Sequence, residues 1–411
     1  MVTYPEDWAK YPFGQFFKLL PNNTLSRDKL SEYGEIGNIH YGDVLIKYGD
    51  EISDKDDIPR IKEEVGYVPK NLLEKGDVIL ADTAEDETVG KVSEIGDVSI
   101  PLVGGLHTVV CRPMVATTDG YLGVYMNSKY YHDQLLPYIT GIKVSSISKK
   151  SLNNTEIIIP SSVREQYEIV KVFRCMDDHI ANLTEMIEKK KWIRDGAILD
   201  LVSGQMRLEG FEDKWMEMTI GECAEIRQGG TPNTSNDRYW NGDIVWITPS
   251  EITKSNTLYI RNSERKITEE GQKNSSAVML PAGAILLCTR ATIGDLAIAE
   301  IPLTTNQGFK NLICKKNVDP MFFAYLLMTK KSEFILRAIG TTFLELSKTE
   351  LSSIKVLLPS IEEQIEIAKV LSAMDEEISA LEAEKEKMIQ IREGAMDDLL
   401  TGRVRLPMEG E

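Results

Sequence analysis

The chain has 411 residues, 42% of them hydrophobic, and a formal net charge of −17 at pH 7. This length allows two or three domains with their own cores, and no apolar run approaches the roughly 18 residues that a membrane span requires. The acidic total argues against binding nucleic acid through overall charge, and no secretory signal is evident at the N-terminus, so a cytoplasmic protein is expected.

The negative charge is unevenly distributed. Residues 1–145 carry a net charge of −9 and residues 346–411 carry −7, whereas residues 146–210 and 211–345 carry 0 and −1. Because local basic surface decides DNA binding more directly than total charge does, the two near-neutral segments keep that function open.

Two segments of unlike sequence, 1–145 and 211–345, have the composition of mixed α+β domains. Each contains short β-branched and aromatic runs bounded by Gly, Pro, Asn and Asp, which predict strands separated by turns. Such runs occur at 43–48, 77–81, 243–247 and 284–288.

The segments that follow these domains, 146–210 and 346–411, are two copies of one repeat. A solenoid needs at least three units to bury its core, so two copies predict a molecule with a pseudo-twofold axis. Matching residues, 198 positions apart, include the pairs Gln166 and Gln364, Asp177 and Asp375, and Gly204 and Gly402.

Each repeat predicts one long helix. Ser161 and Ser162 before the first helix and Ser360 before the second are preferred N-caps, while Gly204 and Gly402 are natural stops. Apolar residues recur at alternating intervals of three and four, which is typical of coiled-coil packing. The predicted coiled-coil seam contains Phe173, Met176, Ile180, Leu183, Leu371, Met374, Ile378 and Leu381.

The partner predicted for each long helix is the other copy. Residues 163–202 would extend about 60 Å at ~1.5 Å per residue. The predicted fold class is therefore α+β, with two globular mixed α/β domains separated by two long helices that pack as an antiparallel coiled coil with pseudo-twofold symmetry. The alternative is that each helix packs only on its own domain.

No catalytic motif is recognisable in the sequence. An adenine methyltransferase would need an Asn/Asp-Pro-Pro-aromatic motif and a P-loop would need Gly-Lys-Ser or Gly-Lys-Thr, yet Pro-Pro and both Gly-Lys motifs are absent. The five cysteines are far apart, which disfavours disulfides and zinc, and the acidic run 82–87 lacks the ligand spacing of a calcium loop. We therefore predict no catalytic residue and no metal site in this chain.

Side chains that could bind DNA are more evident in the sequence than catalytic residues are, above all in residues 211–345. Its polar loops are rich in Arg, Asn and Gln, which can pair bidentately with base edges, and in Ser, Thr and Lys, which suit phosphates. Taken singly, each loop can also be ordinary turn chemistry. The candidate DNA contacts here are Gln228, Thr231, Asn233, Thr248, Ser250, Arg290, Thr292, Thr305, Asn306, Gln307 and Lys310.

These motifs resemble those of the DNA-specificity (S) subunits of Type I restriction–modification systems, over essentially the whole chain. The second half carries the strongest match, through RQGGTPNTSNDRYWNGDIVWITPSEI, TTNQGFK and LPSIEEQIEIAKVLSAMDEEI. The first half is similar to a different target-recognition subtype through HYGDVLIKYGD and GLHTVVCRP.

The resemblance implies four regions: target-recognition domain 1 (1–145), a central conserved helical region (146–210), target-recognition domain 2 (211–345) and a distal conserved helical region (346–411). Each domain would read one half of a bipartite, asymmetric sequence in double-stranded DNA. The coiled coil would set the spacer length and dock two methylation (M) subunits, which restriction (R) subunits can join. S-adenosylmethionine, ATP and Mg would be bound by those partner subunits, and no cofactor by this chain.

For the first domain, the resemblance directs attention to the polar and basic residues of its strand-and-turn segments. His107 alone is more often a structural residue than a base contact. The candidates are Lys47, Tyr48, Thr83, Thr88, Lys91, His107, Thr108 and Arg112.

Two other functions compete with a non-catalytic specificity subunit. One is a self-sufficient DNA-modifying enzyme, against which the absent Pro-Pro and P-loop motifs count. The other is a coiled-coil interaction protein without a DNA role, against which the polar loops of the second domain count.

Overall fold

The computed structural model describes residues 3–141, 143–254, 257–340 and 344–407. The chain divides into two compact units: residues 1–184 with 383–411 form the first unit, and residues 185–382 form the second unit. Each unit combines one mixed domain with parts of both long helices. The predicted domain boundaries follow chain order instead, and they stay a prediction.

The first unit contains thirteen strands and five short helices among its described residues. The strands are β1 (Trp8–Pro12), β2 (Phe17–Leu20), β3 (Leu30–Ser31), β4 (Gly37–Ile39), β5 (Glu51–Ile52), β6 (Arg60–Ile61), β7 (Val78–Ala81), β8 (Thr83–Ala84), β9 (Val92–Ile95), β10 (Leu102–Gly104), β11 (Thr108–Pro113), β12 (Ser145–Ser146) and β13 (Glu156–Pro160). The short helices are α1 (Phe13–Phe16), α2 (Tyr41–Ile46), α3 (Tyr121–Met126), α4 (Lys129–Leu135) and α5 (Lys149–Leu152). The first long helix, α6 (Val163–Ser203), begins in this unit.

A five-stranded sheet with the order β2-β11-β7-β9-β5 forms the centre of the first unit. Alternate residues of its inner strands face opposite sides, so Val78 and Leu80 join the core formed with α3 and α6, whereas Ile79 and Ala81 join the core under α2. A smaller sheet, β10-β4-β6-β3, covers the second side.

The second unit contains ten strands and six short helices among its described residues. The strands are β14 (Met216–Thr219), β15 (Ala224–Gln228), β16 (Trp240–Ile247), β17 (Tyr259–Ile260), β18 (Lys266–Ile267), β19 (Ile285–Cys288), β20 (Leu296–Ala299), β21 (Thr304–Thr305), β22 (Phe309–Cys314) and β23 (Lys355–Leu358). The short helices are α7 (Ile220–Cys223), α8 (Pro249–Lys254), α9 (Glu269–Lys273), α10 (Pro320–Thr329), α11 (Lys331–Arg337) and α12 (Lys348–Ser353). The second long helix is α13 (Ile361–Leu399).

The two domains share one topology although their sequences differ. The sheet of the second unit has the order β15-β22-β19-β20-β17, which repeats that of the first unit strand for strand. The parallel pairs also correspond, because β5 with β9 matches β17 with β20 and β4 with β10 matches β16 with β21. The divergent domains are therefore built on one framework with different surfaces.

Three of the four predicted strands are confirmed, as β7, β16 and β19. The prediction of a strand at 43–48 was wrong, because this run forms α2. The His40 ring accepts a hydrogen bond from the Gly42 amide at 3.2 Å and caps the helix, and Arg27 binds the buried Asp43 carboxylate at 2.7 and 2.8 Å. These interactions with side chains outside the run override its apolar, β-branched composition.

The long helices begin and end where the sequence predicts. Both start directly after the serine caps, and each ends close to its predicted glycine: α6 ends at Ser203, before Gly204, and α13 ends at Leu399, three residues before Gly402. Gly204 and Gly402 have φ angles of +74° and +67°. Only glycine adopts this left-handed conformation without steric cost, and it terminates a helix.

Within each unit the two long helices run antiparallel. In the first unit Phe173 of α6 shares a core with Leu399 of α13, and in the second unit Leu371 of α13 shares a core with Leu201 of α6. Helix packing on the unit's own domain accompanies this pairing, because Gln166 accepts a hydrogen bond from the Thr118 amide at 3.0 Å. The predicted fold class is confirmed.

Of the eight predicted seam residues, Phe173 belongs to the core of the first unit, and Leu371 and Met374 belong to or pack against the core of the second unit; the full seam stays a prediction. Phe173, Leu183, Leu371 and Ile378 are buried, and Met176, Ile180, Met374 and Leu381 are half-buried.

Candidate nucleic-acid interface

Four polar loops of the second unit meet at the ends of its strands. The Gly230 amide donates to the Thr305 carbonyl at 2.8 Å, the Asn306 amide to the Ile247 carbonyl at 3.0 Å, and the Thr289 amide to the Gly308 carbonyl at 2.8 Å. These bonds join the loop after β15, the start of α8, the loop after β19 and the turn between β21 and β22. We call this surface, made of residues 228–231, 248–250, 289–292 and 305–308, the second loop cluster.

Glycine is required where the loop after β15 crosses the turn. A Cβ atom on Gly229 would lie 2.0 Å from the Asn306 carbonyl oxygen, and one on Gly230 would lie 2.2 Å from Ser276 Oγ. The Gly-Gly pair therefore permits close approach of two backbones, as expected for glycine at such contacts. The predicted loop residues on both sides are brought together by this approach.

The second loop cluster presents polar side chains to solvent. Thr231 donates from Oγ1 to Gln307 Oε1, and Gln228, Ser250 and Gln307 are exposed. Asn306 fixes its own turn, because its Oδ1 accepts from the Gly308 amide at 2.8 Å. Amide and hydroxyl groups held in this way can donate to and accept from base edges and phosphates.

Thr248 is fixed at the first turn of α8. Its amide and Oγ1 donate to Glu251 Oε2 at 2.7 and 2.8 Å, and Ser250 Oγ lies 2.9 Å from Thr248 Oγ1. The arrangement orients both hydroxyls at the edge of the cluster. Glu251 was not among the predicted residues, although an acid three positions after a threonine is a recognised helix-start pattern.

An ion-pair network lies beneath the loop after β19. Arg290 donates to Glu345 at 2.6 Å and Lys310 donates to the other carboxylate oxygen at 2.9 Å. Partial burial acts to raise the pKa of Glu345, but the hydrogen bonds from Arg290 and Lys310 hold that pKa below its usual value. Lys310 is only 3% exposed, so it positions Glu345 rather than lying at the surface.

Two further predicted residues are held inside the cluster. Thr305 is buried and accepts a hydrogen bond from Asn311 Nδ2 at 2.8 Å. Thr292 Oγ1 is buried without a partner among the described residues, next to Ala291, whose φ angle is +55°. Asn233 is exposed outside the cluster, and its carbonyl accepts from Trp240 Nε1 at 3.1 Å.

The first unit contains the topologically equivalent loop cluster. The Asn23 amide donates to the Gly104 carbonyl at 2.8 Å, the Gly105 amide to the Ile39 carbonyl at 2.8 Å, and the Asp82 amide to the His107 carbonyl at 3.1 Å. We call residues 22–23, 40–41, 82–83 and 105–108 the first loop cluster. Its backbone connections match those of the second loop cluster, but its side chains do not.

His107 is the most exposed member of this first loop cluster. Its φ angle is +53°, its ring contacts that of Tyr41 edge-on at 5.3 Å between centroids, and its Nδ1 lies 3.3 Å from Thr83 Oγ1 and 3.4 Å from Asp82 Oδ1. Thr108 is buried and donates to the Gly105 carbonyl at 2.7 Å. His107 and Thr83 are thus the predicted residues that reach this surface, and Tyr41 was missed.

Other candidates of the first domain are engaged in protein contacts. Lys47 pairs with Asp57 at 2.7 Å, Lys91 donates to the Leu45 and Tyr48 carbonyls at 2.9 and 3.2 Å, and Tyr48 is 2% exposed. These contacts close the C-terminal end of α2.

The last two candidates of the first domain also contact protein groups. Arg112 bonds to Asp77 at 2.7 Å and to Glu74 at 2.6 Å, and Thr88 is exposed and bonds to Asp86.

Both long helices contain the same short motif with solvent-exposed residues. The sequence Ile-Arg-acid-Gly-Ala occurs at 193–197 and 391–395. Ile193 and Ile391 are 42% and 43% exposed, and a Cβ atom on Gly196 or Gly394 would meet no atom within 4 Å. A glycine inside a helix costs about 1 kcal/mol relative to alanine, and no contact within the described part of the chain requires either one.

Among residues 3–141, 143–254, 257–340 and 344–407, no group of three or more His, Cys, Asp or Glu side chains could hold a metal ion. A helix long and apolar enough to cross a membrane is likewise not found in those ranges.

Comparison with known proteins identifies related sequences. A family model described as Type I restriction modification DNA specificity domain matches residues 5–191 and 212–390. The Type I restriction enzyme MjaIX specificity subunit of Methanocaldococcus jannaschii is 42% identical over 179 residues, which cover 43% of this chain and 41% of that protein. The putative type I restriction enzyme MjaX specificity subunit of the same organism is 24% identical over 427 residues, covering 98% of this chain and 95% of that protein.

Solved structures share the fold along the whole chain. The S subunit of a Type I restriction–modification system from M. genitalium has a TM-score of 0.59 at 16% identity and covers 98% of this chain and 96% of its own. A chain from a structural study of complex assembly and conformational transition of the type I R-M system has a TM-score of 0.63 at 15% identity, covering 98% and 100%.

Proposed function

Because this chain belongs to the family of Type I restriction–modification DNA specificity subunits, we propose that it reads a bipartite, asymmetric DNA target, one half-site per unit. The observation that carries the proposal is the pair of loop clusters, which share backbone connections and differ in side chains. Base contacts specify sequence whereas phosphate contacts position the protein. One framework with two sets of side chains therefore suits the reading of two different half-sites.

Single-molecule sequencing of DNA modification in the host, with this gene intact and deleted, tests the proposal. We expect one bipartite methyladenine motif to disappear on deletion and to return on complementation. A complemented strain in which residues 211–339 come from another subtype should change one half-site and keep the other. Disappearance of several unrelated motifs, or a change of both half-sites in the exchanged strain, would contradict the assignment.

We propose that the surface of Ile193 and Gly196 and its repeat, Ile391 and Gly394, dock two copies of a methylation subunit. Exposed isoleucine beside a glycine allows a partner helix to approach closely, and an exposed apolar contact gains stability when covered. Because the surface occurs twice with the same residues, it fits two copies of one partner.

Native mass spectrometry of the chain mixed with its methylation subunit tests this docking. We expect two bound copies for the unmodified chain, one for Ile193→Asp or Ile391→Asp, and none for the double variant. Ile365→Asp is the matched control, because Ile365 is also exposed on α13 (38%) but its repeat counterpart is Tyr167. Two bound copies in the double variant would refute this surface.

In this proposal adenine methylation with S-adenosylmethionine, and ATP- and Mg-dependent restriction, are performed by the M and R subunits in the cytoplasm. Methylation of DNA by the purified chain with S-adenosylmethionine alone would contradict this division of labour.

The net charge of −17 is unusual for a DNA-binding protein and needs an explanation within the proposed function. We propose that acidic surface contacts protein partners or solvent, and that DNA is held mainly in the assembled complex. The salt dependence of DNA affinity reports the number of phosphates contacted. A steeper slope and tighter binding for the complex than for the chain alone are expected, and equal values for both would overturn this explanation.

A further inference from the structure

The Arg265 side chain packs against two tryptophan rings of the second unit. Its guanidinium carbon is 3.6 Å from the ring centroid of Trp240 and 5.7 Å from that of Trp246. The two indole rings meet edge-on at 5.1 Å and are 6% and 5% exposed. A cation over an indole face is attracted by the ring quadrupole, so the guanidinium rests on a rigid base.

Both indoles are anchored to the loops that carry the candidate DNA contacts. Trp246 Nε1 donates to the Gly230 carbonyl at 2.9 Å, and Trp240 Nε1 donates to the Asn233 carbonyl at 3.1 Å. Because Gly230 belongs to the second loop cluster, Arg265 lies beside that cluster rather than on a remote face.

The backbone before Arg265 is fixed as well. Ser263 Oγ donates to the Arg265 carbonyl at 2.6 Å and accepts from the Trp246 amide at 3.1 Å. Glu251, which holds Thr248, also accepts from the Glu264 amide at 2.8 Å. The segment 263–265 is thus connected directly to the first turn of α8.

Arg265 is exposed, and within the described part of the chain its guanidinium has neither a carboxylate in ion-pair range nor a hydrogen-bond acceptor. This differs from Arg290 and Lys310, which share Glu345. Stacking fixes the plane of the guanidinium and leaves its N–H edges free. That geometry suits bidentate donation to two oxygens of a phosphate.

We propose that Arg265 is a positioning residue that binds a DNA backbone phosphate beside the half-site read by the second unit. The inference rests on the proposed function and deepens it. A phosphate is favoured over a base edge because stacking on Trp240 holds the guanidinium against the protein wall, at the rim of the loops that carry the exposed amides and hydroxyls. Arg265 directly precedes β18, and the strand register places Lys266 opposite Val245 as it places Arg60 opposite Gly37. The first unit therefore has Pro59 at the position of Arg265, so this anchor belongs to one half of the target.

The experiment uses the chain assembled with its methylation subunits and two duplexes of equal length, one carrying the motif found by methylation sequencing and one lacking it. Fluorescence anisotropy is measured across a salt series for the unmodified protein, Arg265→Ala, Arg265→Lys and Arg261→Ala. Arg261 is the matched control, since it lies four residues away with a side chain 75% exposed and 3.8 Å from Glu300.

Arg265→Ala should bind both duplexes about tenfold more weakly and lower the slope of log affinity against log salt by about one. Arg265→Lys should lie in between, because lysine keeps the charge but loses the planar fork. Arg261→Ala should match the unmodified protein.

Two results overturn the phosphate anchor while leaving the proposed function intact. One is an unchanged affinity and slope for Arg265→Ala; the other is an unchanged slope with loss of discrimination at one base of the half-site, which would make Arg265 a base reader. If the unmodified complex does not prefer the motif duplex at all, the proposed function fails and the anchor fails with it.

Discussion

Arg194 donates to Asp375 at 2.7 Å, and this bond joins the second half of α6 to the first half of α13 in the second unit. The same bond recurs in the first unit, where Arg392 donates to Asp177 at 2.5 Å. Each arginine and each aspartate lies 198 positions from its counterpart. The two copies of the repeat are therefore joined by reciprocal ion pairs, because an arginine of each copy binds an aspartate of the other copy.

Removing Arg194 should destabilise the helix pair of the second unit. Among the residues that the structure describes, Asp375 would keep one side-chain donor, the Tyr325 hydroxyl at 2.5 Å. The side chains of Arg194 and Asp375 are 23% and 30% exposed. Because this pair is only partly buried, we expect Arg194→Ala to lower the free energy of unfolding by about 1–2 kcal/mol, less than for a fully buried pair. Urea unfolding followed by circular dichroism measures the change.

A double-mutant cycle of Arg194→Ala with Asp375→Ala isolates the pairwise part of this energy. We expect a coupling of about 1 kcal/mol. The exposed pair Arg227 and Glu225, 50% and 53% exposed, serves as the control and should show almost none. Equal couplings in both cycles would mean that the bond in the helix pair is no more than a surface ion pair.

Gly196 within α6 and Gly204 directly after it should respond to alanine in opposite directions. Gly196→Ala should stabilise the isolated chain by about 1 kcal/mol, because it raises helix propensity and meets no neighbouring atom. Gly204→Ala should destabilise the chain by a similar amount, on the order of 1–2 kcal/mol, because alanine is strained at a φ angle of +74°. Thermal unfolding of the two variants provides the measurement.

Gly196→Ala should also change how the chain assembles with the methylation subunit. A methyl group on the partner-facing surface should weaken assembly with the methylation subunit even though the chain itself is more stable. Stabilisation without any loss of assembly would leave Gly196 unexplained by the proposed docking surface.

Glu94 should make the first unit less stable as pH rises. Burial raises the pKa of this carboxyl from 4.5 to about 7, against the opposing hydrogen bonds from the Gly123 and Gly120 amides. The unfolded chain loses its proton near 4.5 while the folded chain retains it, so stability falls between pH ~5 and ~7 and then levels off. We expect this decline, on the order of 2 kcal/mol, to be absent in Glu94→Gln.

The comparison is made by urea unfolding at pH 5 and pH 8. Other groups titrate in the same range, so the difference between Glu94→Gln and the unmodified chain is the quantity of interest. Glu64→Gln, at an exposed position, should show the same pH dependence as the unmodified chain. A pH dependence unchanged by Glu94→Gln would mean that Glu94 is ionised throughout.

The long helices could be predicted from sequence because their signals are local. Serine caps, three-four spacing and terminal glycines act within a few residues of one another, and they gave the helix starts and ends. The prediction of a strand at 43–48 was wrong because the deciding interactions are not local to that run. Arg27 and His40 lie outside the apolar run and determine its conformation.

The loop clusters were only partly predictable. Their polar residues could be found from composition, but which of them meet depends on pairing between strands distant in the chain, such as β16 with β21. Tyr41 and Glu345 gained their positions from such pairing, and Lys310 and Tyr48 lost surface exposure through it, whereas Glu251 is placed by the local start of α8. Residue type thus indicated the chemistry, whereas long-range register decided exposure.

Lengthening both long helices should change the target's spacer and leave its half-sites intact. The compact units divide after Thr184 in α6 and after Glu382 in α13, and these positions are equivalent in the repeat, 198 residues apart. Four residues inserted within 185–190, matched by four after Glu382, preserve the antiparallel contacts inside each unit. Each helix gains roughly 6 Å, while the apolar faces rotate only slightly, because four residues come close to one turn.

The expected result is a methylated motif with both half-sites unchanged and a spacer longer by about two base pairs, given ~3.4 Å per base pair. Single-molecule sequencing of modified DNA from a strain carrying the double insertion measures it, and the insertion in α6 alone is the control that disturbs helix pairing. Altered half-sites would show that the helices do more than set a distance. An unchanged spacer would show that the distance is set elsewhere, because both long helices would then have been lengthened without effect.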